Sequence, residues 1–331
     1  MIPDFIAPIY VAGLAILVGF AGLIWSAERF VAGAAAFALN FGLAPIIIGL
    51  TIVSFGTSAP EILVSLNASL AGAGDIAVGN ALGSNIANIG LVLAITALVA
   101  RIPVQKHILK DELPILLLVT AVSGWFLFDA TLSPAEGWAL LLMLIPLMAY
   151  LVWVKRRGMA PAEQAAEEDI QEMSNRAAAL WFTVGLIILV ASSKVLVWGA
   201  QTTAEHFQVS PLIIGLTVLA IGTSLPELAA SIMSALKGHH DIALGNIIGS
   251  NIFNLLAVMS LPGIISPAIY SAEVFSRDYL VMAGVTVLVG LFISANFIFK
   301  RGSNKYIGRV AGGLLLAGYG AYIYVLYLAS I

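Results

Sequence analysis

The sequence predicts an all-α integral membrane protein in which ten transmembrane helices form two inverted five-helix repeats. Hydrophobic residues make up 60% of the 331-residue chain and charged residues only 10%, and the mean hydropathy is +1.02. A soluble domain carries about 25% charged residues, so this chain is too apolar to cover a water-facing surface of ordinary size. Its apolar runs reach about 20 residues, which favours spanning helices over the roughly ten-residue strands of a barrel.

An internal repeat is the second observation behind this fold class. Residues 45–88 and 211–254 align without a gap at an offset of 166 residues (211 minus 45), and 24 of the 44 aligned positions are identical. The identities fall on residue types that are uncommon in an apolar chain, namely Glu, Asn, Ser, Thr, Pro and Gly. Two copies of a polar cluster inside a hydrophobic protein indicate a two-fold site that handles ions.

The apolar runs predict the individual spans. They cover residues 8–39, 44–70, 75–98, 111–128, 133–154, 177–206, 210–237, 241–264, 276–299 and 306–329. Each half, 1–154 and 177–331, then holds five spans, and residues 155–176 form a hydrophilic linker. Because five is odd, corresponding segments cross the membrane in opposite directions.

The basic residues predict the orientation. Loops after the odd-numbered spans carry 12 of the 15 Lys and Arg residues, whereas the opposite loops carry only Arg277. The positive-inside rule therefore places the linker in the cytoplasm and both termini outside. Arg29 and Lys194 lie within the two longest spans, where their stems can snorkel. The absence of cysteine excludes disulfides and thiolate metal sites.

Polar residues follow one face of the second predicted span. Ser54, Thr57, Ser58 and Glu61 stand at i, i+3, i+4 and i+7, a spacing that places them on the same side of a helix. The seventh span repeats the spacing with Ala220, Thr223, Ser224 and Glu227, and the third and eighth spans add Ser84 with Asn88 and Ser250 with Asn254. Carboxylate, hydroxyl and amide oxygens are ligands for hard cations such as calcium and sodium. No His or Cys joins this set, which argues against zinc, copper or nickel.

Glycine and proline interrupt both polar helices. Pro60 and Pro226 lack an N–H and clash with the carbonyl four residues earlier, at Gly56 and Gly222. We therefore predict a broken or kinked helix around these two glycines. Carbonyls freed there can be satisfied by a bound ion, as at other transporter sites.

Most of the other polar and small residues have a structural explanation. We interpret four asparagines as interhelical hydrogen-bond partners, namely Asn80, Asn85, Asn246 and Asn251. We interpret glycines 79, 83, 245 and 249 as close-packing positions. Asp75 and Asp241 are interpreted as helix N-caps. Glu61 and Glu227 differ, because a carboxylate near mid-membrane costs several kcal/mol unless it is protonated or paired. No Lys or Arg stands in either motif to pair with them, so we interpret both as functional.

These motifs resemble a known family. Residues 56–61 (GTSAPE) and 222–227 (GTSLPE), followed by 79–86 (GNALGSNI) and 245–252 (GNIIGSNI), are similar to the two α-repeat signatures of the calcium/cation antiporter superfamily. The branch that the chain resembles is the sodium/calcium exchangers, in prokaryotic members without a large regulatory domain. The resemblance covers the whole ten-span layout.

The resemblance implies a set of ion ligands. By this resemblance, Glu61 and Glu227 bridge a central calcium ion, and the ion is surrounded by Thr57, Ser58, Thr223 and Ser224. The resemblance assigns sodium binding to Ser84 and Ser250, and outer sodium sites to the carbonyl groups of Ser54 and Ala220. Asn88 and Asn254 form the remaining polar pair. It implies alternating access in a prokaryotic cell membrane, with spans 1 and 6 sliding past the other eight. Sodium moving inward would drive calcium outward, with no cofactor, no nucleic acid and no obligatory protein partner.

Other functions remain open at this point. A calcium/proton or other cation antiporter would use a similar site. A passive cation channel would gather such residues around an oligomeric axis, whereas here one chain supplies both halves. An intramembrane acid protease would need a water-activating Asp pair, and the hydroxyl and amide setting suits ion coordination better. Some relatives carry Asp at Asn88 or Asn254, so two amides argue against potassium co-transport.

Overall fold

The computed structural model describes residues 7–156, 172–208, 220–299 and 305–329, and this part of the chain is almost entirely helical. Within these ranges, seven helices are long and apolar enough to cross a membrane. They are Ile9–Asn40, Gly74–Val99, Pro134–Lys155, Asn175–His206, His240–Ile265, Val274–Ile298 and Arg309–Ala329. These correspond to predicted spans 1, 3, 5, 6, 8, 9 and 10.

The other three predicted spans depart from simple long helices. Span 2 is a broken pair, Pro45–Thr57 and Ala59–Leu70, whose axes differ by 46°. Span 4 has a 15-residue α-helix, Leu113–Leu127, which continues from a π-helical turn. Span 7 lies partly outside the described residues, and its described part is again two helices.

The elements are numbered here in chain order. The first half contains α1 (Ala7–Asn40), α2 (Pro45–Ile48), α3 (Ser54–Thr57), α4 (Ala59–Leu70), α5 (Gly74–Ala87), α6 (Ala94–Val99), β1 (Ile102–Pro103), α7 (Leu113–Leu127), β2 (Thr131–Leu132) and α8 (Pro134–Arg156). The second half contains α9 (Asn175–His206), α10 (Ala220–Thr223), α11 (Leu225–Leu236), α12 (His240–Phe253), α13 (Ser260–Ile265), β3 (Ala268–Ile269), α14 (Leu280–Phe299), β4 (Tyr306–Ile307) and α15 (Arg309–Ala329). Among the described residues, the π-helical segments Gly49–Val53, Asn88–Leu93 and Asn254–Val258 lie between consecutive helices, and Ile108–Glu112 and Val274–Tyr279 directly precede α7 and α14.

Helices α5 and α12 lie at the centre of the molecule, and glycine sets how closely α12 approaches the α2–α3 segment. A Cβ added to Gly49 would lie 2.7 Å from the carbonyl oxygen of Ile242 and 3.0 Å from the Cα of Gly245. A Cβ at Gly249 would lie 2.5 Å from the carbonyl oxygen of Leu50. The predicted close-packing role is therefore confirmed for Gly245 and Gly249. For Gly79 and Gly83 no described atom lies within 4 Å of an added Cβ, and Gly215, which aligns with Gly49, lies outside the described residues.

Helices α1 and α9 pack against each other along most of their lengths. Glycines at 19, 22, 33, 185 and 199 stand where the backbone or first side-chain atoms of the opposite helix leave no room for a Cβ. Arg29 lies over the ring of Trp181, with 4.9 Å from its Cζ to the ring centroid, so its charge is held against an aromatic face. The apolar side chains of this pair pack with residues of α2, α11 and α12, among them Ile48, Ala230 and Ile242, in a cluster separate from the main core.

Four two-residue strands join loops at the ends of the helices and were not predicted. β1 pairs with β4, with Ile102 opposite Ile307, and β2 pairs with β3, with Thr131 opposite Ile269. Both pairs are antiparallel and each joins a loop of the first half to a loop of the second. They fix the relative positions of loops that are far apart in sequence.

The prediction that Asp75 and Asp241 cap their helices is wrong. The N-cap residues of α5 and α12 are Ala73 and His239, and both aspartates lie within the first helical turn. A carboxylate in that position still favours the helix through the positive end of its dipole. Asp241 also faces His107 across the boundary between the halves, with 3.6 Å between its Oδ2 and His107 Nε2.

Candidate functional site

Both polar helices break at the serine of the Gly-Thr-Ser motif. Ser58 has φ −82° and ψ 6°, and Ser224 has φ −87° and ψ 4°, so each leaves the helical conformation between two helices. The predicted break is confirmed, two residues after each glycine. Pro60 and Pro226 then lie in the first turn of the following helix. Backbone N–H groups in a first turn have no partner within the helix, so proline costs no hydrogen bond there.

These breaks place Glu61 and Glu227 in the first turns of α4 and α11. Each carboxylate is only 1% exposed, and the positive ends of the two helix dipoles favour their negative charge. The Oε2 atom of each has no hydrogen-bond partner among the described residues. Two buried carboxyl groups, each with an unpaired oxygen, therefore have no Lys or Arg partner in the described chain.

Hydroxyl groups of the first motif reach residues of the second half. Ser58 Oγ donates to Glu227 Oε1 at 3.0 Å, and Thr57 Oγ1 donates to Asn246 Oδ1 at 3.0 Å. Ser224 Oγ is buried and has no such partner in the described chain. The structure thus brings Thr57, Ser58 and Glu227 into one cluster.

Two asparagines support the backbone of the glutamates. Asn80 Nδ2 donates to the carbonyl oxygen of Glu61 at 3.1 Å and to Ser65 Oγ at 3.0 Å. Asn246 Nδ2 donates to the carbonyl oxygen of Glu227 at 3.4 Å and to Ser231 Oγ at 3.0 Å. Their predicted role as interhelical hydrogen-bond partners is confirmed. Ser65 and Ser231 were not predicted as hydrogen-bond partners of these asparagines. Their recurrence at the offset of the repeat was the signal that could have identified them.

Asn88 and Asn254 each begin a π-helical turn, Asn88–Leu93 and Asn254–Val258. Both side chains are at most 1% exposed, and neither the amide oxygen nor the amide nitrogen of either finds a partner in the described chain. Ser250 Oγ, one turn before Asn254, is also buried and unpaired among the residues that the structure describes. A buried polar group without a hydrogen bond is unfavourable, so these oxygens suit a ligand that supplies positive charge.

The remaining predicted ligands, Ser84, Ser54, Thr223 and Ala220, lie on helices α5, α3 and α10. Ser84 is buried in α5. Ser54 is also buried, and its carbonyl oxygen accepts the backbone N–H of Ser58 at 3.0 Å while its hydroxyl donates to Leu50 at 2.8 Å. Thr223 and Ala220 belong to α10, which ends at the second break. The carbonyl oxygen of Gly222 accepts a hydrogen bond from Ser193 of α9 at 3.0 Å.

A crevice leads from one end of the helices to this cluster. Its volume is about 810 Å³, and Pro60, Gly222 and Thr223 line its inner end. Asn67, Ile76, Trp198 and Gln201 line its outer part, at the last residues of α4 and α9 and the first residues of α5. Asn80 and Lys194 also face this space.

The donor set suits a hard cation in transit. Among the described residues no group of three or more His, Cys, Asp and Glu side chains could hold a metal ion. Two carboxylates surrounded by hydroxyl, amide and carbonyl oxygens instead form an oxygen-rich site of modest charge, which suits calcium or sodium.

Comparisons with known proteins agree with this chemistry. A model of the family described as "Sodium/calcium exchanger protein" matches residues 11–154 and 177–328. The chain is 47% identical over 325 residues to a protein of Alkalimonas amylolytica named as an antiporter, CaxA, covering 96% of this chain and 99% of that one. It is 29% identical over 350 residues to the sodium/calcium exchanger MaX1 of Methanosarcina acetivorans, covering 95% and 98%.

A solved structure has the same fold. The sodium-calcium exchanger NCX_Mj superimposes with a TM-score of 0.81 and 29% identity, covering 96% of this chain and 99% of that one. These relatives are named as antiporters or exchangers, which agrees with a transport protein of the membrane and not an enzyme. The chain belongs to the sodium/calcium exchanger protein family, within the calcium/cation antiporter superfamily.

Proposed function

We propose that this protein exchanges sodium for calcium across the cell membrane by alternating access and that it extrudes calcium. Glu61 and Glu227 provide two negative charges, which one calcium ion neutralises. Hydroxyl oxygens of Thr57, Ser58, Thr223 and Ser224 complete its surroundings, and Ser84, Ser250, Asn88, Asn254 and the carbonyl groups of Ser54 and Ala220 provide sodium ligands. One observation carries the proposal, namely that both glutamates and the predicted ligands Ser224, Ser250, Asn88 and Asn254 hold buried polar atoms without a partner in the described chain.

An inverted repeat gives this site its two-fold character. The bounds of α4, α5 and α6 recur in α11, α12 and α13 at the offset of 166 residues (225 minus 59, 240 minus 74, 260 minus 94). β1 and β3 are related by the same offset (268 minus 102), and each pairs with a loop strand of the other half. Such swapped pairing is expected if two similar halves are related by an axis in the membrane plane. Ten spans in two inverted sets of five fit this pattern.

The α1–α9 pair is the moving element in this proposal. The pair touches both motif helices, because Leu186 packs against Gly56 and Ser193 donates to Gly222. Sliding of the pair would therefore close the crevice on one side and open a path on the other. The crevice lies at the end of the helices that the basic residues assign to the outside, so in this proposal it is the path by which ions enter from the outside.

Ion fluxes in reconstituted vesicles test the proposal. Purified protein is reconstituted with sodium inside, and uptake of radioactive calcium is measured after dilution into sodium-free medium with the membrane potential clamped. We expect uptake to be driven by the outward sodium gradient and to vanish when sodium is equal on both sides.

The rival function, calcium/proton exchange, predicts a different result in the same vesicles. A proton gradient imposed without any sodium would then drive calcium uptake, and the sodium gradient would add nothing. Glu61 and Glu227 serve in either reaction, but the many uncharged oxygen ligands around them favour sodium, because a proton needs only the carboxylates. Calcium uptake driven by a proton gradient alone would show that the coupling ion is the proton and not sodium.

A further inference from the structure

A second cavity lies away from the ion site, where α14 ends and α15 begins. Its volume is about 480 Å³, and its lining includes Arg101, Phe292, Asn296, Tyr306, Arg309 and Leu314. The polar residues lie near helix ends, whereas Phe292 and Leu314 lie further along the helices. The cavity therefore combines a charged part and an apolar part.

The loop pairing between β1 and β4 holds Arg101 in place. Pro103 stands opposite Tyr306, and the guanidinium of Arg101, which directly precedes β1, lies 5.1 Å from the centroid of the Tyr306 ring. A guanidinium that contacts an aromatic ring can still use its N–H groups as hydrogen-bond donors. Arg101 therefore brings a positive charge and N–H donors to the lining of the cavity.

Arg309 provides a second fixed positive charge. Its Nε donates to the carbonyl oxygen of Leu98 at 3.2 Å, which leaves its terminal nitrogens for another acceptor. Within the described ranges no carboxylate forms an ion pair with Arg101 or Arg309. Arg309 is also the first residue of α15, where the helix dipole adds to the positive potential. Two guanidinium groups on one cavity, without a carboxylate partner in the described chain, favour an anion, and phosphate oxygens match their geometry.

Asn296 adds a requirement of its own. It is 8% exposed, and its Nδ2 donates to the carbonyl oxygen of Phe292 at 2.8 Å, while its Oδ1 has no partner in the described chain. An amide oxygen is only an acceptor. A ligand that satisfies it must therefore carry a hydrogen-bond donor in addition to its anionic group.

The cavity opens towards the lipid. Val310, which also lines it, is 80% exposed, and Leu314 is 56% exposed. Exposed apolar side chains on a transmembrane helix face acyl chains, and charged residues at its end lie at headgroup depth. Basic cavities between transmembrane helices at this depth suit anionic lipid headgroups.

We propose that this cavity binds an anionic glycerophospholipid whose headgroup carries a hydroxyl, such as phosphatidylglycerol. The phosphodiester lies between Arg101 and Arg309, and the headgroup hydroxyl donates to Asn296 Oδ1. The acyl chains follow the exposed face of α15. Because the bound lipid touches loops of both halves, it stabilises the β1–β4 contact. Binding of this lipid is independent of which ions the protein transports.

Native mass spectrometry of the delipidated protein in detergent tests this site. Phosphatidylglycerol, phosphatidylmethanol and phosphatidylcholine with identical acyl chains are titrated separately, and glycerol phosphate is the soluble probe. We expect phosphatidylglycerol to bind most tightly. Phosphatidylmethanol, with the same charge and no hydroxyl, should bind less tightly, and phosphatidylcholine weakest. The Arg101→Gln, Arg309→Gln double variant should bind phosphatidylglycerol at least about tenfold more weakly, because two charge-assisted contacts are lost.

Matched variants separate the site from general charge effects. Arg176→Gln removes an exposed basic residue predicted on the same side of the membrane and should bind like the wild type. Asn296→Leu should bind phosphatidylglycerol and phosphatidylmethanol equally. Equal binding of phosphatidylglycerol and phosphatidylcholine by the wild type, or unchanged binding in the double arginine variant, would overturn the proposal. Competition by glycerol phosphate at concentrations similar to the lipid would identify a site for soluble phosphates and overturn the lipid assignment.

Discussion

At the scale of single residues, the buried carboxylates of Glu61 and Glu227 dominate the energetics of the site. Removing a carboxylate from water is costly unless an opposite charge compensates it, and no Lys or Arg of the described chain pairs with either. A transported cation supplies that compensation. Protons are the alternative, because a protonated carboxylate is neutral and does not hold a cation.

Neutral replacements of these residues should stop transport. We expect Glu61→Gln and Glu227→Gln each to reduce sodium-driven calcium uptake by more than about a hundredfold, since calcium loses one of its two charged ligands in a water-poor site. Uptake into proteoliposomes measures the effect. Glu205→Gln is the control, because Glu205 is exposed at the end of α9 and should transport normally. Exchange at the wild-type rate by a folded Glu61→Gln protein would remove Glu61 from the site.

A second charged cluster joins the two halves outside the ion site. His107 Nδ1 lies 3.2 Å from Glu112 Oε1, and Lys155, which is 6% exposed, lies 2.7 Å from the same oxygen. His107 also faces Asp241. Burial alone lowers the pKa of His107, but its hydrogen bonds to Asp241 and Glu112 raise it to about 9.

This raised pKa predicts how stability depends on pH. The contribution of protonated His107 is fully present below the ordinary value of 6.5 and is lost as the pH rises through about 9. We expect the thermal unfolding temperature in detergent to fall between about pH 7 and about pH 10, and His107→Gln to show a smaller fall over that range. His206→Gln, at an exposed position, is the control. An identical fall in His107→Gln would assign the pH dependence to other groups.

At the scale of helices, the sequence predicted the breaks in the two motif helices but not the π-helical turns. Gly56 with Pro60 predicted a break that the structure has at Ser58, because Pro60 has no N–H to bond the carbonyl of Gly56 and its ring crowds that carbonyl. The π-helical turns at Asn88 and Asn254 were not predicted, since an inserted residue in a helix leaves no mark in the apolar pattern. Such turns are frequent at functional sites, and here they begin at predicted ligands.

The crossing of α12 over the α2–α3 segment should depend on Gly249. An alanine Cβ there would lie 2.5 Å from both the carbonyl oxygen of Leu50 and Ser54 Oγ, so the helices would have to separate. We expect Gly249→Ala to destabilise the protein by about 1–3 kcal/mol, measured as a lower unfolding temperature. Gly318→Ala is the matched control, since no described atom lies within 4 Å of an added Cβ at 318. Equal stability of both variants would show that this crossing is not tightly packed.

At the scale of the whole molecule, the repeat predicted more than any single motif. Its offset of 166 residues relates Glu61 to Glu227 and so predicts a shared two-fold site, and both carboxylates are buried in the first turns of corresponding helices. The β1–β4 and β2–β3 pairings and the cluster of His107 with Asp241 were not predictable, because they join short loop segments whose contacts depend on how the halves dock. The Lys and Arg residues in the loops predicted the orientation of the chain in the membrane but no contact between the loops.

Relative motion of α1 and the core is open to a direct experiment. Glu28 of α1 lies 2.6 Å from Lys237, which directly follows α11. The chain has no cysteine, so Glu28→Cys with Lys237→Cys introduces the only two thiols. We expect a short bifunctional maleimide to stop calcium exchange by the double variant and to leave both single variants active, because a cross-link would hold α1 to α11 in one state. Full exchange after complete cross-linking would show that α1 does not move against this helix.

Equilibrium binding to the purified wild type tests most directly whether the two halves build one site that calcium and sodium share. Bound radioactive calcium is measured while sodium replaces an organic cation at constant ionic strength. We predict one calcium per chain at saturation, because the two glutamates neutralise one divalent ion, and displacement of that calcium by sodium but not by the organic cation. Calcium binding that is unaffected by sodium, or two independent calcium ions per chain, would contradict a single shared site.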